Sequence, residues 1–203
     1  MPASKIATPD HPVLQPIAER WSPYALDPKP ISDADLLTIL EAARWAASAF
    51  NEQPWRFIVA KRENEADFAT ALSCLVEANQ AWAKNAAVLI LTAVRDTFTR
   101  NDNPNRVAEH DLGLSASQLV LQTAALGLHA HQMAGVDLEK TAATYNIPEP
   151  FRPLTAIAIG HAADPDSYEN QDLAKRDQGT RSRKSLGEIA FTGNWETAAP
   201  FTT

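Results

Sequence analysis

The chain has 203 residues, 45% of them hydrophobic, and a formal net charge of −7; it can bury one substantial core, and its length favours one domain, residues 1–203, over two. The acidic balance argues against nucleic acid as a partner, because polyanions bind through a basic face that neutralises phosphates. Cys74 is the only cysteine, which excludes an intrachain disulfide and a multi-cysteine metal site and fits a reducing compartment, the cytoplasm.

In chain order, the first cluster of note is Arg20-Trp21-Ser22-Pro23-Tyr24. Ser32-Asp33-Ala34-Asp35 then has the serine-to-acid spacing of a capping box, and Leu36, Leu37, Leu40, Ala43 and Ala47 recur at intervals of three and four. That pattern predicts a helix from about Asp33 to Ala47. The small-residue run Ala46-Ala47-Ser48-Ala49 closes it, and Asn51-Glu52-Gln53-Pro54-Trp55-Arg56-Phe57 follows, offering amide and backbone groups to a planar polar ligand. Arg56 to Ala60 and Ala87 to Val94 are short apolar runs with β-branched residues and read as buried strands. The nearly apolar stretch Ala86 to Val94 is nine residues long, where a membrane-spanning helix needs about twenty, and no charged region with an apolar signal core opens the chain. A soluble protein without a membrane partner is expected.

Arg95 to Glu109, rich in Asn, Asp and Pro, reads as a mobile loop. It enters a long core helix, Leu112 to Leu126, that stops at Gly127. His129 and His131 would share one face of a strand, but no third ligand follows at metal spacing, so no metal site is expected. A helix starts at Asp137, and Leu154 to Gly160 is a third strand. After His161 the chain is polar and poor in apolar residues until Ile189, too poor to build a core of its own. Strands alternating with helices would ordinarily suggest parallel βαβ units. None of the seven glycines forms a dinucleotide fingerprint or a phosphate loop, and Gly113-Leu114-Ser115-Ala116-Ser117 lacks the closing glycine of a nucleophile elbow.

Taken together, Arg20-Trp21-Ser22-Pro23-Tyr24, Ala47-Ser48-Ala49-Phe50-Asn51-Glu52-Gln53-Pro54-Trp55 and Arg181-Ser182-Arg183-Lys184-Ser185-Leu186 resemble, in order, the R-x-S-x-[RK], A-P-S-x-x-N-x-Q-P-W and basic C-terminal elements of the FMN-dependent nitroreductase family. The resemblance implies an α+β fold with a mixed, mostly antiparallel sheet flanked by helices. It also implies an interlocked homodimer in which residues 162–203 form a C-terminal arm around the partner. FMN would be the bound cofactor and NADH or NADPH the co-substrate.

By the same resemblance, Arg20 and Ser22, with Trp21 and Tyr24 in the same element, hold the phosphate and ribityl end, and Arg181 and Arg183 approach the phosphate from the C-terminal element. Ala47, Ser48, Ala49, Asn51 and Gln53 meet the flavin ring, commonly from the other subunit. Asn79 contacts the pyrimidine edge, and Gln132-Met133-Ala134-Gly135 passes along N5, where Gly135 permits close approach. The chain departs from the pattern at Tyr24 and Trp82, neutral aromatics where the family places cations near the flavin N1/C2 edge, and at Ala47, which replaces a frequent proline. Phe50 occupies a variable position, and Trp45, Trp55 and Trp195 read as core or interface aromatics. The implied activity is ping-pong reduction of nitroaromatics, quinones or similar electron-poor molecules, with no catalytic side chain because flavin N5 carries the chemistry. A flavin dehydrogenase or dehalogenase with a dedicated substrate, or a non-catalytic flavin-binding protein, are the alternatives.

Overall fold

A computed structural model describes residues 5–202 apart from 165, 167 and 169. The chain begins with α1 (Gln15–Glu19), β1 (Leu26–Asp27), α2 (Asp33–Arg44), β2 (Trp55–Lys61), α3 (Glu65–Ser73), α4 (Glu77–Ala83) and β3 (Val88–Arg95). It continues with α5 (Ala108–Ala125), β4 (His129–Met133), α6 (Leu138–Thr144), β5 (Phe151–Ala162) and α7 (Gln171–Gln178). The strands join in the order β1-β5-β3-β2, with β4 also on β5, and the four described pairings are all antiparallel.

β3 and β5 lie inside the sheet, and their middles, Val88–Leu91 and Ala156–Ile159, are buried and apolar on both faces. Leu89, Leu91, Ala156 and Ala158 face one core with Phe68, Leu75 and Trp82 of the α3–α4 side. Val88, Ile90, Ile157 and Ile159 face a second core with Ile39 of α2 and Leu119 of α5. The sheet therefore separates two helical layers, and every candidate residue falls on one side or the other. Among the described residues no helix is long and apolar enough to cross a membrane.

The Ser32 hydroxyl accepts from Asp35 N at 3.0 Å, which fixes the start of α2 where the capping pattern puts it. The helix ends at Arg44, three residues before Ala47, because the chain turns to bury Ala46 against Trp55 and Leu112. α5 begins at Ala108, a turn earlier than the apolar stripe suggests, with Glu109 and Asp111 in its first turn. Asp137 caps α6 through Lys140 N at 3.0 Å. The polar stretch after His161 is less irregular than it reads: residues 171–178 form α7, which buries Ala174 and Asp177 against its own chain.

Candidate functional site

The sequence-selected residues resolve into three places. The first is the segment Arg20–Ala25, which runs from the end of α1 to β1. Trp21, Pro23 and Ala25 point inward, while Arg20, Ser22 and Tyr24 are half-buried. The segment is held by Asp177 of α7, 1% exposed, whose carboxylate accepts from Tyr24 N at 2.9 Å and Ala25 N at 2.8 Å. Burial pushes the Asp177 carboxyl above its usual range, opposed by those two amides and by Lys5 and His131. The Nδ1–H of His131 donates to Pro23 O at 2.9 Å, Lys5 Nζ donates to Arg176 O at 2.8 Å, and Arg181 Nη1 donates to Lys5 O at 3.0 Å and Ala18 O at 2.6 Å.

These bonds bring the C-terminal basic element onto the N-terminal one. Arg20, Arg181 and Arg183 share a groove of about 790 Å³ with Gln132 and with Ser117 and Leu121 of α5. The guanidinium of Arg20 is pushed below its ordinary value by burial and then by the charge of Arg183, and that of Arg181 by burial, Arg20 and Arg183. No ion pair found among the described residues involves any of the three. Lys184 also lines the groove, and Asp10 is its one carboxylate, so cations outnumber the acid and the balance suits an anion.

The second place lies across the sheet from the arginine groove, beside α4, and meets the first through Tyr24. Asn79 Nδ2 donates to Gly135 O at 3.1 Å, and Asn79 Oδ1 accepts from Trp82 Nε1 at 3.3 Å. A Cβ on Gly135 would stand 2.4 Å from Asn79 Nδ2 and 2.7 Å from Val76 Cγ2, so glycine is required here by the chain's own packing. Trp82 is 1% exposed, with its ring 4.4 Å from that of His131 and 5.3 Å from that of Tyr24, centroid to centroid. The two neutral aromatics at positions 24 and 82 are thus partners in one aromatic cluster around His131. Trp21, Trp82 and Met133, expected as cofactor contacts, are all buried within the single chain. Gln132 and Ala134, alternating with Met133 on β4 and just beyond it, are exposed.

The third place is the turn from Ala47 to Gln53. Ala49 N donates to Asp111 Oδ2 at 2.9 Å, and the Ser48 hydroxyl accepts from Gln53 N at 3.0 Å. Phe50, Asn51 and Gln53 all have positive φ, at 53°, 57° and 51°. The turn presents Ala47, Phe50 and Asn51 to solvent at the N-terminal end of α5, outside the arginine groove. Within one chain, then, Arg20, Gln132, Arg181 and Arg183 come together; Ser48, Ala49, Asn51 and Gln53 form a separate group; Asn79 and Gly135 form a third. Trp55 is core, while Trp45 and Trp195 are 71% and 82% exposed.

Sequence reading missed the two carboxylates that hold these places. Asp111 had a local signal: it lies on the buried stripe of α5 with Ala108, Leu112 and Ser115, where an unpaired acid is rarely found. Asp177 had none, since its partners are 152 and 153 residues away.

The nitroreductase family model matches residues 17–161. Among solved structures, an oxidoreductase containing FMN is 36% identical with a TM-score of 0.87, covering 96% of this chain and 98% of that one. A Desulfovibrio desulfuricans protein solved in complex with FMN is 26% identical with a TM-score of 0.68, covering 92% and 99%. The major NAD(P)H-flavin oxidoreductase of Aliivibrio fischeri is 36% identical over 98 residues, 45% of this chain and 43% of that protein.

Proposed function

This chain belongs to the nitroreductase family, and from that premise we propose that it is an FMN-dependent NAD(P)H oxidoreductase that reduces nitroaromatic, quinone or similar electron-poor small molecules. In this reading it works as a single-domain homodimer in the cytoplasm. The observation that carries the reading is the convergence of Arg20, Arg181 and Arg183 in one groove, where Arg183 adds to the cost of charging Arg20, and both add to that of charging Arg181. A phosphate reverses that cost, and guanidinium groups can grip it with parallel charge-assisted hydrogen bonds.

When bound, FMN supplies the two-electron chemistry, and the protein's part is to bind, orient and shield it. Arg20 and the C-terminal arginines hold the phosphate, with Gln132 and Ala134 exposed on the strand end beside them. The exposed Asn51 side chain and the solvent-facing backbone of the Ser48–Gln53 turn, which lie away from the groove of their own chain, suit the ring bound in the groove of a second copy. The packed pair of half-buried Tyr24 and buried Trp82 leaves the pyrimidine edge without a cation from those positions.

The expected behaviour is a yellow dimer, bleached anaerobically by NADH or NADPH and recoloured by a quinone or nitroaromatic. Arg20→Ala and Arg183→Ala each weaken FMN binding by about ten- to a hundredfold, since charge-assisted hydrogen bonds are worth roughly 1.5–3 kcal/mol. Riboflavin, which lacks the phosphate, is nearly indifferent to both changes. Equal losses for the two flavins would remove the phosphate assignment, and colourless protein that takes up no added FMN would remove the function.

A further inference from the structure

We propose that Phe50 and Arg100 form a recognition platform for the acceptor substrate, selecting planar aromatic molecules that carry a carboxylate or comparable anionic group. The proposal rests on the flavin oxidoreductase reading, because it takes the neighbouring Asn51 and Gln53 to face the flavin ring.

Phe50 is 73% exposed and sits at φ 53°, a backbone conformation that residues with a Cβ disfavour. A large apolar ring held outward at such a position is not explained by the core. Its ring meets Phe98 edge-on at 5.8 Å, and the Arg100 guanidinium lies over it at 4.0 Å from the ring centroid. Phe98 and Arg100 belong to the loop after β3, which is closed by the pairing of Thr97 with Pro104 and by Phe98 N donating to Asn103 O at 2.9 Å.

The two loops are tied together as well as stacked. The Glu52 carboxylate accepts from Thr99 N at 2.9 Å and also from the Thr99 hydroxyl. The platform is therefore built before any ligand arrives, which lowers the ordering cost of binding.

Charge supplies the second half of the argument. Two nearby arginines are neutralised: Arg95 pairs with Asp102 at 3.0 Å, and Arg152 pairs with Asp96 at 2.8 Å and Glu109 at 2.6 Å. Arg100 makes no ion pair and no side-chain hydrogen bond among the described residues, although Asp102 and Glu52 are supplied by the same two loops. Its guanidinium covers one face of an exposed aromatic ring and keeps its N–H groups available. An aromatic carboxylate lying against the exposed Phe50–Arg100 stack satisfies both features together, its ring meeting the stack and its carboxylate pairing with the Arg100 N–H groups.

The test compares 4-nitrobenzoate with the neutral 4-nitrobenzyl alcohol as acceptors for the FMN-loaded protein at saturating NADH or NADPH. The ratio of kcat/KM for the anion to that for the alcohol is expected to fall about tenfold in Arg100→Gln and further in Arg100→Glu, with the loss falling on KM. Phe50→Leu raises KM for both acceptors. Binding of unreactive benzoate, followed by calorimetry on the same protein, is expected to weaken about tenfold in Arg100→Gln. Benzoate bound equally by wild type and Arg100→Gln, or a ratio that does not change, overturns the platform while leaving the flavin chemistry intact. A shift in the NAD(P)H KM with no change in the acceptor ratio also overturns it, because the arginine would then be reading the reductant. Failure to take up FMN or to oxidise either nicotinamide defeats the proposed function instead.

Discussion

The Arg20–Ala25 segment and the Ser48–Gln53 turn are both polar stretches anchored by a buried carboxylate, yet they are held in opposite ways. Asp177 takes two backbone N–H groups from the first, and Lys5, His131 and Arg181 reinforce the attachment. Asp111 takes one N–H from the second, and the rest of the turn is closed by its own Ser48 hydroxyl and by Glu52 reaching Thr99. None of residues 20–25 has a positive φ, whereas Phe50, Asn51 and Gln53 all do. One region is finished by its own chain; the other is kept open and strained at roughly 1–2 kcal/mol per left-handed residue. A site assembled from two copies needs one surface of each kind, a rigid receptor and a turn that projects outward.

The largest expected effect breaks the rigid side. Asp177→Ala leaves the Tyr24 and Ala25 amides without an acceptor, at roughly 1–3 kcal/mol each, so urea unfolding should show a loss of about 2–6 kcal/mol. Hydrogen exchange at the Tyr24 and Ala25 amides should accelerate with it, and FMN affinity should fall because Arg20 and Arg181 lose their common frame. Asp111→Ala strands one amide, that of Ala49, and should cost about half as much. Equal losses from the two substitutions would dissolve the contrast between the regions.

Acid titrates the same rigid side. His129 packs edge-on against Trp21 at 5.5 Å with Nδ1 buried and without a partner, and burial followed by nearby charge including His161 lowers its pKa to about 4. The unfolded chain takes up the proton near pH 6.5 and the folded chain near 4. The contribution is therefore complete above about pH 6.5 and is lost as pH falls towards 4, by up to about 3 kcal/mol. His131 is lowered too, chiefly by burial, and adds in the same sense. Asp177, raised by burial, contributes in the opposite sense, losing stability as pH rises through its own pKa. His129→Phe isolates one group, and unfolding between pH 7 and 4 should be visibly flatter for it than for wild type; parallel curves would place His129 outside the balance.

What the sequence could reveal divides along the same line. β3 and the buried middle of β5 are legible because a strand buried on both faces must be apolar, β2 because Phe57, Ile58 and Val59 cluster in a short run, and α2 because serine and acid declare its start. The arginine groove is legible as a pattern of ordered motifs. α7 is not, because the contact that docks it is a charged residue binding amides over 150 positions away, which leaves no apolar stripe to read. The closeness that Gly135 allows to Asn79 and Val76 of its own chain has no local sequence signal. Backbone strain at Phe50 has no sequence signature at all, since nothing in Ala49-Phe50-Asn51 forbids an ordinary helical turn.

The smallest effect measures that strain directly. Phe50→Ala and Phe50→Gly remove the same ring and the same contacts with Phe98 and Arg100, so they differ only in what the backbone must do. At φ 53° alanine keeps the left-handed cost, while glycine escapes it and gives back part of the gain through its freer unfolded chain. The glycine variant should be the more stable by about 1 kcal/mol, which for a chain of this length moves Tm by roughly 2–4 °C. At Ser22, where φ is not positive, the same pair of substitutions should rank the other way, alanine above glycine, because only the unfolded-state term remains. Opposite rankings at the two positions show strain confined to the turn. The same ranking at both would mean that the turn relaxes freely and that its projecting shape is not held by the fold.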